Sequence, residues 1–453
     1  MSFTIIGGGP SGCLMALLLA RRGHAVQLFE RRADPRITPP EAGRSINFAL
    51  AARGLRALAE AGVLEPLRPH MVPMPGRQLH LQDGSEQFSP YGQHAHEINY
   101  AMSRAELTRL LVIQAGRDPR ITLRFRQRCL GLTADGRPAM RDETSGQQYA
   151  ITAARVIGAD GAGSALRQGL AAAGHITASD ELLDHDYKEL VIPAVEGRSA
   201  LAVREALHIW PRRGHMLIAL PNADHSFTAT LFMPRHGDPG FQSLAEPPAA
   251  VAFFRREFPD ALALMPDFAQ AFATHPQSIL GTVRCAPWNL GERMLLIGDA
   301  AHAMVPFHGQ GLNCALEDCR LLDAILADGQ PDPFARFSAQ RRADTDAISQ
   351  MALENYREMR DEVITPRHHL HRRLELELER RHPARFIPRS AMVMFHDRIP
   401  YSVALERGHL QQQILDELTP QSTDDAGFDA AQIDWPLADS LVIGRLPEIS
   451  GFA

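Results

Sequence analysis

Thr4-Ile5-Ile6-Gly7-Gly8-Gly9-Pro10-Ser11-Gly12 stands almost at the start of the chain and runs straight into Cys13-Leu14-Met15-Ala16-Leu17-Leu18-Leu19-Ala20. A β-branched run, a G-x-G-x-x-G turn and an unbroken apolar segment read as strand, tight turn and a helix over 13–20. Gly7, Gly9 and Gly12 allow the sharp turn and the close approach of backbone to a pyrophosphate, which rests on the helix N-terminus. A second strand over 25–29 ends at Glu30, placed to bind an adenosine ribose hydroxyl. A carboxylate there disfavours a ribose phosphate, so the dinucleotide expected at this site is FAD or NAD rather than NADP.

Two further motifs follow. Val156-Ile157-Gly158-Ala159-Asp160-Gly161 reads as a buried strand whose end turns Asp160 toward the cofactor, although Asp160 would serve equally as a helix N-cap. Gly298-Asp299-Ala300-Ala301-His302 leads through Val305-Pro306-Phe307-His308-Gly309-Gln310 to a helix opening at Gly311-Leu312-Asn313. Asp299 can accept a hydrogen bond from a ribityl hydroxyl, and N–H groups near Gly311 and Leu312 point out of a helix start, where partial positive charge favours an anion such as reduced flavin. Each segment alone could be an ordinary turn. The three in this order suit a flavin, and a plain NAD dehydrogenase has no use for the last two.

With these motifs, and with Gly43-Arg44-Ser45-Ile46-Asn47-Phe48-Ala49-Leu50, Ala206-Leu207-His208-Ile209-Trp210-Pro211, Met351-Ala352-Leu353-Glu354-Asn355-Tyr356 and Arg385-Phe386-Ile387-Pro388-Arg389, the chain resembles the single-component FAD-dependent aromatic hydroxylases of the p-hydroxybenzoate hydroxylase fold. Within them it is most similar to the kynurenine 3-monooxygenase family, over nearly its whole length. The resemblance implies an α/β protein: a Rossmann-type FAD-binding domain (1–70, 103–161 and 285–327) interleaved with an antiparallel-sheet substrate domain (71–102 and 162–284), then a C-terminal helical domain (333–453). The clearest sheet segments are 206–210, 216–220 and 227–232, whose apolar side would roof the flavin, and helices are expected over 334–363, after Pro366 and over 403–418.

The implied chemistry is hydroxylation of L-kynurenine at ring carbon 3 by non-covalent FAD, NADPH and O2 through a flavin C4a-hydroperoxide, with no acid or base side chain required. For the cofactor the resemblance carries over Ser11, Glu30, Arg31, Arg104, Asp160, Asp299, Leu312 and Asn313. Toward the substrate it carries over Arg77 as a bidentate carboxylate partner, with Tyr91 and Asn355 as further polar contacts. Leu207, Met216, Leu220, Thr230, Phe232 and Met359 would line the ring pocket, beside flavin-adjacent Pro306, Phe307, His308 and Gly309. Two positions depart from the pattern. Ser390 stands where a tyrosine normally completes the carboxylate clamp, and Asn99 stands where an apolar pocket residue is usual. A related aminoaryl acid, an anthranilic or quinoline precursor among them, is therefore the alternative substrate, and a non-catalytic flavin redox sensor a more distant one.

Composition excludes several other classes. Net charge is −6 with both signs intermingled, which gives neither a nucleic-acid footprint nor a polybasic membrane patch. Five cysteines (Cys13, Cys129, Cys285, Cys314 and Cys319), without C-x-x-C, read as reduced thiols of a cytoplasmic protein rather than a disulfide frame or zinc site. The uncharged start before Cys13 argues against a secretory leader, and the Gly/Pro-broken tail over 434–453 against a membrane anchor. Trp210, Trp288 and Trp435 are too far apart for the W-x-W of a flavin halogenase. His368-His369-Leu370-His371, set among arginines and glutamates, reads as a solvated, charge-paired helix face, so no metal is expected.

Overall fold

Strands buried on both faces need helices on both sides, which is the pattern of a parallel sheet. Val156–Gly158 and Met294–Leu296 are buried throughout, and Ser2–Ile6 is buried after its first residue. The computed structural model, which describes residues 2–39, 47–363, 365–419 and 433–449, places them in a six-stranded sheet in the spatial order 289–290, 294–296, 156–158, 2–6, 25–29, 121–124. All neighbours are parallel except the first pair. Helices Pro10–Arg21, Arg104–Ala115 and Gly311–Ala327 supply Leu14, Leu111 and Leu316 to the core around this sheet. Of the sequence segments named above, 43–46 and 450–453 lie outside the described residues.

A seven-stranded sheet is built from Gln277–Ala286, Thr177–Ile192, Phe227–Pro234, Met216–Pro221, Leu207–Pro211, Gly76–His80 and Glu86–Pro90, in that order. Side chains alternate across a strand, so register decides which residues share a face. Pairings Leu207↔Arg77, Ile218↔Thr230 and Met216↔Phe232↔Tyr187 put Arg77, Leu207, Met216, Ile218, Thr230 and Phe232 together on one side. Leu217, Ala219, Ala229 and Leu231 point the other way, onto helices Pro247–Glu257, Pro259–Ala263 and Phe268–Thr274. Those three short helices had no counterpart in the sequence reading. Phe253, Phe254, Phe258, Phe268 and Phe272, on and between these helices, share one core with that sheet face, with Phe254 and Phe268 rings 4.3 Å apart.

The C-terminal region is helical, with two corrections. The helix expected over 334–363 runs regularly only over Pro333–Arg357 and then widens into a π-type turn at Glu358–Glu362, where Val363 N donates to Glu358 O (2.9 Å). The tail read as Gly/Pro-broken forms a helix, Trp435–Arg445, capped by Asp434 accepting from Leu437 N (3.0 Å) and buried through Ala438 and Val442. Pro436 falls in its first turn, where its missing N–H costs nothing. Helices Pro366–Arg381 and Tyr401–Leu418 fall where expected, and Arg389–Met394 adds a short one.

An ionic network locks these helices to the sheet region. Arg341 binds Asp318 (2.8 Å) and Glu317 (2.6 Å), Arg53 binds Glu317 (2.8 Å), and His302 Nε2 meets Asp318 (2.6 Å). All are nearly fully buried. Removing one partner would strand a charge away from water, at about 3–5 kcal/mol. No helix among the described residues is long and apolar enough to cross a membrane.

Candidate active site

The three glycine motifs meet at the carboxyl ends of the parallel strands, the crevice where this class of sheet binds ligands. Ala159 N donates to Ile6 O (2.7 Å), and Ile297 N donates to Gly158 O (2.9 Å). Backbones approach so closely that a Cβ on Gly7 would lie 2.2 Å from Ala159 O, and one on Gly12 would lie 1.9 Å from Gly7 O. Gly298 takes a positive φ of 57° beside Ser11, where a Cβ would lie 3.1 Å from its Oγ. Gly9 differs: a Cβ there meets nothing within 4 Å, so its backbone borders open space at the start of helix Pro10–Arg21. That helix and Gly311–Ala327 both begin without a side-chain cap and without an acidic residue in the first turn. Their first N–H groups are left for a ligand.

These residues fit an FAD. Glu30 is nearly buried and held by Gly8 N at Oε2 (2.7 Å) and Arg32 N at Oε1 (2.8 Å), which fixes the carboxylate while leaving lone pairs for a ribose hydroxyl. Asp299 is half-buried at the start of Asp299–His302, and its carboxylate receives no hydrogen bond from the described residues. Asp160 is already employed, since Ser164 Oγ (2.6 Å) and Leu166 N (3.2 Å) donate to it. It supports the start of helix Ala165–Ala172, capped by Ser164, and burial raises its pKa above the ordinary carboxylate value. Asn313 is fully buried and internally satisfied, accepting from Ala51 N (2.8 Å) and donating to Ala49 O (2.8 Å) and Gly309 O (2.9 Å). Its side chain therefore shapes the loop, and only its backbone N–H is left to face a ligand. Arg31 and Arg104 are exposed, with Arg104 over the Phe48 ring (5.8 Å).

Beyond the loop at 306–309, a cavity of about 530 Å³ gathers Arg77, Tyr91, His308, Asn355 and Ser390 from five separate segments. The Arg77 guanidinium lies 5.5 Å from the Tyr91 ring, and its buried Nε has no hydrogen-bond partner among the described residues. Burial raises the Tyr91 pKa against the pull of Arg77. Asn355 Nδ2 donates to Phe307 O (2.6 Å), and Phe307 stacks on Tyr356 at 3.8 Å, so the long helix fixes the loop. His308 is pushed down to about 4 by burial and by the charges of Arg389 and Arg77, which leaves it neutral near pH 7. Asn99 is buried behind Tyr91 with its Nδ2 3.1 Å from Met394 Sδ and its Oδ1 without a donor.

The apolar residues expected to line the ring pocket pack into two buried clusters. Met216, Phe232, Phe307 and Met359 pack into one buried cluster, Leu220 joins Tyr91 in a second, and Leu207 touches both. Thr230 is buried on the same sheet face. None of them, nor Pro306, lines the cavity. The His368–His371 segment corrects the reading of a solvated face: His368 and His371 line the cavity with Arg372 and Glu375, and burial lowers both histidines, His371 to about 4. Glu358, Glu362 and Arg389 complete a polar end of the cavity that the sequence reading missed. Their charge was visible, but the π-type turn that aims two of them inward leaves no mark in residue spacing.

Comparison with known proteins agrees with this geometry. The family model for an FAD binding domain matches residues 1–330. Kynurenine 3-monooxygenase of Xanthomonas oryzae pv. oryzae is 44% identical over 453 residues, covering 99% of this chain and 98% of that protein. The same-named protein of Stenotrophomonas maltophilia is 43% identical over 454 residues, with 99% and 98% covered. A solved tetrameric form of 2-methyl-3-hydroxypyridine-5-carboxylic acid oxygenase shares the fold, with a TM-score of 0.64 at 21% identity over 81% of this chain and 94% of that one. A flavin crevice at the strand ends, the loop at 306–309 closing it, and relatives this similar over almost the full length make the chain a member of the kynurenine 3-monooxygenase family of FAD-dependent aromatic monooxygenases.

Proposed function

We propose that this enzyme hydroxylates L-kynurenine at ring carbon 3 in the cytoplasm, with NADPH and O2 as co-substrates. The observation that carries the reading is the gathering of Arg77, Tyr91, Asn355 and Ser390 in one cavity against the loop at 306–309, in a chain 44% identical to a kynurenine 3-monooxygenase over 99% of its length. Bound FAD supplies what side chains cannot, accepting hydride from the nicotinamide and activating O2. The protein binds, orients and excludes water.

Strands 2–6, 25–29, 156–158 and 294–296 hold the dinucleotide, and Glu30, Asp299 and the helix N-termini at Pro10 and Gly311 orient it. Arg77 takes the substrate carboxylate as a charge-assisted pair, completing the hydrogen bonding that its buried Nε lacks. Asn355 anchors the loop through Phe307 O and presents its amide at the cavity wall. Neutral His308 places no extra charge beside the reacting ring. Clusters around Phe232, Phe307 and Met359, and around Leu220 and Tyr91, keep water from the ring end.

A second reading, a differently substituted aminoaryl acid, is favoured by Ser390, whose short hydroxyl leaves room on the cavity wall. Substrate-stimulated NADPH oxidation across a panel of aminoaryl acids, with the product mass measured, decides between the two. Gain of one oxygen atom by kynurenine supports the first. Silence toward kynurenine with turnover of a relative supports the second.

A further inference from the structure

The cavity carries two opposite charges that the fold does not neutralise. Arg77 makes no ion pair among the described residues and keeps a buried, unpartnered Nε. Among the described residues Glu358 is met only by His368, at 3.9 Å from its Nδ1. Burial lowers the pKa of that histidine, against the pull of Glu358 itself. The two other carboxyls on the wall are accounted for differently. Glu375 pairs with Arg372 at 3.0 Å, and Glu362 is exposed to solvent, with its pKa raised by burial and by its neighbours Glu358 and Asp361.

We infer that Glu358 binds the α-ammonium of the substrate, so that Arg77 and Glu358 together recognise a free α-amino acid rather than any aryl carboxylate. The inference rests on the kynurenine-type reading of the site. Its geometric basis is the π-type turn. Asn355 reaches the loop at 306–309 from the last regular stretch of helix, and the widened turn beginning at Glu358 carries both Glu358 and Glu362 to the cavity wall. Such one-residue expansions of a helix recur at functional sites because they re-aim side chains that a regular helix would turn away. Arg77 and Glu358 also act on the same neighbours: His308 and His368 each feel both charges, with opposite sign. An α-amino acid carries its carboxylate and ammonium on a single carbon, so it can meet two charges placed around one pair of histidines. A carboxylate that faces the cavity without a cation can form a charge-assisted pair with an ammonium, and that pair exists only when the ammonium is present.

The test compares L-kynurenine with its desamino analogue, the same aryl keto acid with hydrogen in place of the ammonium. In the wild-type holoenzyme kcat/KM should favour L-kynurenine by on the order of tenfold or more, the scale of one charge-assisted pair that the analogue cannot form. Glu358→Gln should bring the two substrates to within about threefold, with FAD content as the check on folding, while Glu358→Asp should keep most of the preference because it keeps the charge. A wild-type preference near unity, or a preference that Glu358→Gln leaves intact, overturns the inference. Wild-type protein that turns over neither acid overturns the kynurenine reading itself, and the inference with it. Should Glu358→Gln lose its flavin, the wild-type ratio and the Glu358→Asp variant still decide the matter.

Discussion

Around Gly7 and Gly12 the fold is made by backbone lying against backbone, with approaches that leave no room for a Cβ, whereas around Arg77 and Ser390 it is made by side chains converging from five segments on a cavity of about 530 Å³. The first kind of site admits one residue type at each position, because any other displaces a neighbouring strand. The second kind tolerates exchange, since a shortened side chain leaves a space that water or a substrate group can fill. A chain can therefore keep its cofactor unchanged while its substrate preference drifts. Ser390 lies in the region where that freedom exists.

The sharpest way to break the comparison is Gly12→Val. A Cβ at 1.9 Å from Gly7 O forces the turn open, so the purified variant is expected to be colourless and not to be reconstituted by added FAD, as judged by absorbance of the bound flavin. Retention of flavin would show that the glycine turn is not what holds it. Arg77→Ala should do the opposite. Losing a charge-assisted pair costs about 2–3 kcal/mol, so apparent substrate affinity falls roughly a hundredfold while FAD content stays full. Steady-state kinetics beside a flavin titration separates the two outcomes, and unchanged kinetics would remove Arg77 from the site.

The same contrast explains what was legible in the sequence. Glycine at 7 and 12, followed at the right distance by Glu30, leaves a mark because the geometry there permits nothing else, and strands 25–29, 156–158 and 216–220 are readable from their apolar runs. Arg77, Tyr91 and Asn355 were legible only through family resemblance, since nothing in their own neighbourhoods announces a shared cavity. His368 and His371 were misread because a segment dense in arginine and glutamate has no apolar stripe to show which face turns inward. Asn313 was read as a ligand contact, and its amide is spent on Ala51, Ala49 and Gly309. Its position in the motif was visible, but the strand end it staples belongs to a segment some 260 residues away.

Acid should also distinguish the two regions. His80, His208 and His215 are buried around the seven-stranded sheet, and burial lowers each to about 4. An unfolded histidine binds its proton near pH 6.5, so these three contribute stability that is complete above about 6.5 and is lost as pH falls toward 4. In the helix that closes the flavin crevice, Asp318 is buried but held below its ordinary value by His302 and Arg341, so its contribution is lost only at still lower pH. Hydrogen exchange at pH 5 should therefore show strands 207–211, 216–221 and 227–234 opening before strands 2–6 and 25–29. His215 packs against Phe253 and Phe258 and its Nε2 has no hydrogen-bond partner, so His215→Phe should recover up to about 2 kcal/mol of the loss at that pH. Equal protection of both sheets at pH 5 would sink the distinction.

The smallest expected effect belongs to Ser390, and it probes the freedom of the cavity most directly. Ser390 lines the same cavity as Arg77, Gly408 and Gln411. If the cavity holds kynurenine with a water bridging Ser390 to the carboxylate, Ser390→Tyr replaces that water by a direct hydrogen bond worth about 1 kcal/mol, and kcat/KM rises roughly five- to tenfold, mainly through KM. A pocket shaped around a bulkier or more polar aminoaryl acid behaves in the opposite way: the ring occupies the space that the true substrate needs, and turnover of that substrate collapses while FAD stays bound. The sign of the change on kynurenine, read beside the change on the best alternative from the substrate panel, shows whether Ser390 is a tolerated gap or the mark of a different substrate. Arg77, Tyr91 and Asn355 all remain on the wall, and one arginine can hold a carboxylate bidentately, so the expected sign is a gain on kynurenine.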